Sequence, residues 1–293
     1  MLILDEFALH SWMYVEEPTK EELAQLVSEQ HLDPWLVEDA IDLQEVPRVE
    51  VEKDIIYIFT RFVHEGDDAI ETVPMLLILK EDGLIMICPK PFARIHKFME
   101  EKIEFATDQR LTLLTKIFKE VDDTYNDYLN TISKKIRGHT IKIDKIKNKD
   151  IIQFVYFENI LYDFNTSLVR IHTIYSNLLE GKVLKMTDLE HALIEDILQE
   201  NTQLIEIAKE NAQTIVNIRD AYSTIMTNNL NRVIKLFTAL TVILTIPTII
   251  GAFYGMNVKL PYADNPLVFQ DLVVGTLVVC LLVVAIFYYK DWL

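Results

Sequence analysis

Asn231 to Asn257 reads NRVIKLFTALTVILTIPTIIGAFYGMN, and the meaning of its threonines decides the fold of the chain. Ile234 to Tyr254 is about 21 residues with a single charge, Lys235 at one edge, enough helix to cross a hydrocarbon layer roughly 30 Å thick. Taken every three and four residues, one face of this helix carries Asp220, Thr224, Thr227, Asn231, Ile234, Thr238, Thr241, Thr245, Thr248, Ala252 and Gly255. Steps averaging about 3.5 hold these positions on one seam, where a coiled coil would place leucine or isoleucine. A lone threonine in a span can satisfy its hydroxyl on the carbonyl three or four residues back. Four in register, continued by Asn231 and Asp220 on one side and glycine on the other, point to a face that meets water or copies of itself.

Outward from this stretch, Leu272 to Tyr289 gives a second uncharged run of about 18 residues, Val- and Leu-rich on all sides and suited to lipid. Between the runs lies a short loop with one lysine, whereas Arg232, Lys235 and Lys290 flank the other ends. That bias predicts both termini on the cytoplasmic side of the cell membrane. The opening MLILDEFALHSWMYVEE has no basic region ahead of its apolar residues, so no signal peptide is read there. One helix cannot enclose a channel. The pore must come from several copies in a closed ring, which turns each seam position into a ring of identical groups.

Toward the N-terminus, SWMYV, PRVEVEKDIIYIFTRF, TVPMLLILK and LIMICP read as strands. TKEELAQLVSEQ opens on a Thr19/Glu22 capping box, and DPWLVEDAIDL has Pro34 at a first-turn position. From Asp108 to about Ile136 and from Asn148 to Glu180 the apolar spacing becomes helical: Leu111, Leu114, Ile117, Phe118, Val121 and Tyr125, then Ile151, Phe154, Val155 and Leu161. A capping Asp188 opens a pattern with no Pro or Gly until Pro247, which predicts one very long helix. The fold class is therefore an α+β cytoplasmic domain followed by a stalk helix and two C-terminal transmembrane helices. Its segments are a cytoplasmic α/β domain over 1–107, a helical hairpin over 108–184, and the stalk and first span over 185–254. A loop over 255–266, a second span over 267–289 and a tail over 290–293 complete the chain.

A formal charge of −17 over 293 residues argues against nucleic acid or anionic lipid as a main partner and suits a body that attracts cations. Cys88 and Cys280 lie in unlike segments and have no metal-ligand spacing, so both read as reduced and structural. The seven histidines form no HExxH, and GxxxxGK, GxGxxG and GxSxG are absent. Neither catalysis nor ATP use is supported.

YGMN at Tyr254 to Asn257, between one apolar span and a second at the C-terminus, resembles the signature of the CorA family of magnesium and cobalt transporters. The resemblance extends to HLDPWLVEDAIDLQEVPRVE, IPTIIGAFYGMN, VKLPYADNP and the terminal WL. It implies a homopentamer with a cytoplasmic funnel of α/β/α domains, passing Mg²⁺ and also Co²⁺. Carried over by position, Gly255, Met256 and Asn257 form the outer mouth, with Asn257 the selectivity ring and Tyr254 supporting the loop. By the same carry-over Thr248 and Asn231 line the pore and Asp220 forms an acidic ring at the funnel neck; the seam itself adds Thr227, Ile234, Thr238, Thr241 and Thr245 as expected pore-lining positions. The family also implies regulatory Mg²⁺ between neighbouring cytoplasmic domains, here at Glu195, Asp196 and Glu200 facing Asp82, or Asp67 and Asp68, of an adjacent copy.

The chain departs from the family at its tail, YYKDWL, which lacks a run of lysines; either ion exit is less restrained, or Lys135, Arg137, Lys142, Lys145 and Lys147 replace that basic collar. Large apolar gate residues are also sparse, leaving Ile234 and Phe237, with Thr245 where relatives carry bulk. Two other functions remain open at this point: a Zn²⁺ transporter of the same superfamily, and a membrane-anchored helical scaffold or sensor that conducts nothing.

Overall fold

The computed structural model describes residues 11–66, 69–81, 83–100, 110–140, 146–181, 183–184, 186–258, 260, 266–290 and 292. The chain divides into two compact units, Met1–Ile218 and Arg219–Leu293.

The first unit is built on a five-stranded sheet ordered β1-β5-β4-β3-β2, from β1 (Ser11–Glu16), β2 (Arg48–Glu52), β3 (Ile55–Glu65), β4 (Ile70–Leu79) and β5 (Gly83–Cys88). β1 runs parallel to β5 and every other pair is antiparallel. β3 to β5 are nearly continuous apolar runs because both faces of the sheet are covered. On one face Tyr57, Phe59, Leu76, Ile78, Ile85 and Ile87 pack under α1 (Lys20–Gln30) and α2 (Pro34–Asp39), which contribute Leu23, Leu26 and Val37. The alternate residues of the strands, Ile58, Leu77 and Met86 among them, are equally buried. That opposite face takes α3 (Ala93–Glu100), α4 (Arg110–Thr140) and α5 (Asn148–Leu179); Tyr125 on α4 donates its hydroxyl to the Arg61 carbonyl of β3 at 3.2 Å. The layering is α/β/α, as the resemblance implied.

Local signals are realised where a side chain fixes a backbone group. The Thr19/Glu22 box forms, Glu22 N–H donating to Thr19 Oγ1 at 3.2 Å and Thr19 N–H to Glu22 Oε2 at 2.9 Å. Asp33 caps α2 ahead of Pro34 by accepting from Trp35 N–H at 2.9 Å. All six apolar positions expected on α4 from Leu111 to Tyr125 are buried.

Three expectations are corrected, and one helix is added. PRVEVEKDIIYIFTRF is two strands: Lys53 and Asp54 both adopt left-handed backbone, φ 50° and 68°, and turn β2 back onto β3. α3 is the added helix, a single short amphipathic piece whose eight residues are too few to set a clear period in the sequence. Val155 is 43% exposed, since α5 presents Phe154 and Phe157 to the core instead. The long helix α6 (Asp188–Tyr254) is capped by Thr187, with Thr187 N–H donating to Glu190 Oε2 at 2.8 Å and Glu190 N–H to Thr187 Oγ1 at 3.4 Å; Asp188 is its first helical residue.

Candidate ion pathway on the long helix

α6 is one unbroken helix of 67 residues that ends at Tyr254, and α7 (Val268–Tyr289) has 22. Each contains a stretch long and apolar enough to cross a membrane. Within Arg219–Leu293 the covered face of α6 is Ala239, fully buried, with half-buried Ile243, Ile246 and Ile250. From α7 the half-buried set is Val268, Leu272, Thr276, Cys280, Val283, Val284 and Phe287. These are two helical stripes laid on each other.

The seam read from the sequence lies elsewhere. On a wheel of roughly 100° per residue, the threonine stripe is about 140° around α6 from the Ala239–Ile250 stripe. Asp220, Thr227, Asn231, Ile234, Thr238, Thr241, Thr245 and Thr248 are all exposed. Thr224, Thr227, Thr238, Thr241, Thr245 and Thr248 donate their hydroxyl hydrogens to the carbonyls four residues back, at 2.7 to 2.9 Å. The helix thus absorbs every one of these donors, and what each hydroxyl shows outward is an oxygen with a free lone pair. On both flanks the surface is apolar: Val233, Phe237, Leu240 and Leu244 to one side, Val242, Ile249 and Phe253 to the other, each at least 39% exposed. A patch of that size on a protein surface is built to meet lipid or protein.

The seam ends at the glycine. Gly255 N–H closes the last turn on the Gly251 carbonyl at 2.9 Å, and Met256 N–H reaches the Phe253 carbonyl at 3.4 Å. A Cβ at position 255 would lie 3.2 Å from the Gly251 oxygen, so a side chain there would press that carbonyl back by a few tenths of an ångström. Tyr254, the last residue of α6, is exposed, as are Gly255, Met256 and Asn257 beyond it.

One residue of this unit was not legible as a partner. Pro247 has no N–H, which leaves the Ile243 carbonyl without its intrahelical donor. The Cys280 thiol of α7 donates to that oxygen at 3.8 Å. Nothing in either segment alone signals the pairing, because it joins residues 37 positions apart across two helices.

The regulatory candidates belong to the first unit. Glu195 and Asp196 are exposed on α6, one turn before Glu200. Glu200 accepts from Lys119 of α4 at 2.5 Å, and Lys119 also pairs with Asp123 at 3.5 Å. Asp67, Asp68 and Asp82 lie outside the described residues, as do Lys142 and Lys145 of the expected basic collar. Lys135 stands over the Phe157 ring, 5.5 Å from its centroid. Among the described residues of one copy, no three His, Cys, Asp or Glu side chains are grouped as metal ligands.

Known proteins share both the sequence and the fold of this chain. The chain is 25% identical over 302 residues to the cobalt/magnesium transport protein CorA of Methanocaldococcus jannaschii, covering 99% of this chain and 95% of that one. It is 23% identical over 258 residues to the magnesium transport protein CorA of Helicobacter pylori, covering 85% and 79%. The complete structure of the M. jannaschii CorA magnesium transporter superposes with a TM-score of 0.87 at 23% identity over 96% of this chain and 91% of that one, which shows a shared fold. The family model described as CorA-like Mg2+ transporter protein matches residues 8–290. With nearly its whole length matched, the chain belongs to the CorA-like Mg²⁺ transporter family.

Proposed function

We propose that five copies of this chain form a ring in the cell membrane, with both termini cytoplasmic, and pass hydrated Mg²⁺, and also Co²⁺, inward along the threonine seam of α6. The observation that carries this reading is the seam itself: a stripe of hydroxyls turned away from α7, flanked by apolar surface and ending at Gly255–Asn257. The relatives' names, which specify magnesium and cobalt transport, agree with it.

The chemistry suits an ion that keeps its water. Mg²⁺ dehydrates reluctantly, and its bound waters present hydrogens to the outside. A threonine whose own hydrogen is spent on the helix can only accept at that face, so a ring of them matches the donor shell of the aqua ion. Asn257 would offer a neutral amide oxygen at the mouth, strong enough to select the hydrated cation and weak enough to release it. Carboxylates there would hold it too long. No energy source beyond the membrane potential is needed, about 2.3 kcal/mol per elementary charge per 100 mV. Mg²⁺ bound at Glu195 and Asp196 against a neighbouring copy would report the internal concentration and close the path, with Glu200 joining only if Lys119 releases it.

The test uses the full chain in lipid vesicles with a divalent-sensitive dye inside. Mg²⁺ and Co²⁺ should enter, and Asn257→Ala should lower selective uptake at least about tenfold, equivalent to about 1.4 kcal/mol. Uptake no greater than in empty vesicles, for the parent chain and for Asn257→Ala alike, would make the chain a scaffold or sensor, and parent uptake left unchanged by Asn257→Ala would remove Asn257 from the pathway. Preference for Zn²⁺ with dependence on a pH gradient would make it a zinc transporter.

A further inference from the structure

α4 carries Glu120, Asp122, Asp123 and Asp127 within eight residues. Three of these carboxylates have cations: Asp123 meets Lys119, while Glu120 and Asp127 both meet Arg94. Asp122 alone turns inward, where it is 1% exposed between α4, α5 and α6. Its Oδ1 accepts from the Tyr175 hydroxyl at 3.3 Å and from Asn201 Nδ2 at 3.4 Å. Its Oδ2 has no partner, and neither does Oδ1 of Asn201, which is itself fully buried.

Two buried oxygens without donors, on side chains already joined by one hydrogen bond, need a hydrogen between them. An ionised carboxylate supplies none, and leaving it there would cost more than any surface pair returns. A carboxylic acid supplies one. An acid and a primary amide can pair reciprocally, the amide N–H donating to the acid carbonyl and the acid O–H to the amide carbonyl, and the first half of that pair is in place. We propose that Asp122 is a proton-binding site, a neutral acid whose Oδ2 donates to Asn201 and closes a reciprocal pair that holds α6 to α4.

The surroundings set its sensitivity. Burial is the main cause that pushes the Asp122 carboxyl up to about 8, opposed by the hydrogen bonds from Asn201 and Tyr175 and by Lys119, and aided by the charge of Glu200. Those are the groups that face it: Lys119 and Tyr125 from α4, Tyr175 from α5, and Glu200 with Asn201 from α6. On β3 the charged group is Arg61, whose field falls on Tyr125. A carboxyl whose folded value is raised is most favourable to folding below its unfolded value near 4, and that contribution is lost as pH rises through the folded value. Between roughly pH 4 and 8, any opening that exposes Asp122 therefore releases a proton and becomes easier as pH rises. Alkalinisation loosens the α4–α6 junction, and acid tightens it.

The proton site stands on the first unit alone; its effect on ion passage rests on the proposed function above. Two measurements on the full chain in lipid test it separately from flux. Infrared difference spectra across a pH titration should show one protonated carboxylic acid that persists at neutral pH and is missing in Asp122→Asn, which keeps the shape and the hydrogen bonds of the acid form. Hydrogen exchange of α4 and α6 near residues 119–125 and 197–204, corrected for intrinsic rate, should lose protection about tenfold per pH unit between pH 5 and 7 in the parent chain. It should be flat in Asp122→Asn. If the acid signal is absent at neutral pH, or if Asp122→Asn keeps the same pH slope, the proposal fails. Loss of the slope with unchanged Mg²⁺ flux across that range would leave the proton site intact and remove its coupling to transport.

Discussion

Cys280 answers a need created 33 positions away. Pro247 leaves the Ile243 carbonyl without a helical donor inside an apolar stretch, where water is not on hand to replace it. The thiol donates to that oxygen, and it is a weak donor, so its loss should cost about 1 kcal/mol. Cys280→Val should lower the thermal midpoint of the full chain in lipid. In a Pro247→Ala background the alanine N–H restores the helical bond, and the same Cys280→Val change should then have little effect. Equal losses in both backgrounds would show that the valine merely packs badly. The threonines of the same helix need no outside acceptor for their hydroxyl hydrogens, because each donates to the carbonyl four residues back.

Elements were legible where one periodicity ruled a long stretch, and illegible where a few residues broke it. β4 and β5 stood out as apolar runs because a sheet covered on both faces has no polar side to show. α4 could be placed from its stripe of Leu111 to Tyr125, and the threonine seam from its step of about 3.5 residues. The β2–β3 turn was hidden because Lys53-Asp54 lacks the Asn-Gly or Asp-Gly chemistry that announces left-handed backbone. Asp122 was hidden by its acidic neighbours, since only the packing of three helices separates it from the solvated Asp123 beside it. The turn makes its own prediction. Replacing Lys53→Asn together with Asp54→Gly supplies residues at ease with φ near 50° and 68°, and should raise stability by about 0.5–1 kcal/mol, read from denaturant midpoints at unchanged m. A decrease would mean that the side chains of Lys53 and Asp54 contribute more than their backbone costs.

For the whole chain, charge and exposed surface pull in opposite directions. A net charge of −17 works against gathering several copies, because like charges repel across every contact between them. Apolar flanks on α6 and the uncovered sides of α7 favour gathering, within a bilayer or against other copies. Divalent cations would settle that conflict if they bind between copies at exposed acids such as Glu195 and Asp196. Mg²⁺ should then raise the thermal midpoint of the solubilised chain beyond the effect of NaCl at equal ionic strength. A ligand held only by the assembled form stabilises it by about 2.7 kcal/mol at a concentration one hundred times its Kd. The particle mass in mild detergent should match several copies with Mg²⁺ present, and chelation should lower both quantities together. Glu195→Gln with Asp196→Asn should shrink the Mg²⁺-specific increment while leaving the NaCl response unchanged, since screening depends on total charge and a bridging ion on particular oxygens. An increment that survives both substitutions would move the regulatory ion to other carboxylates, and a single-copy particle under all conditions would remove the ring on which the proposed pathway depends.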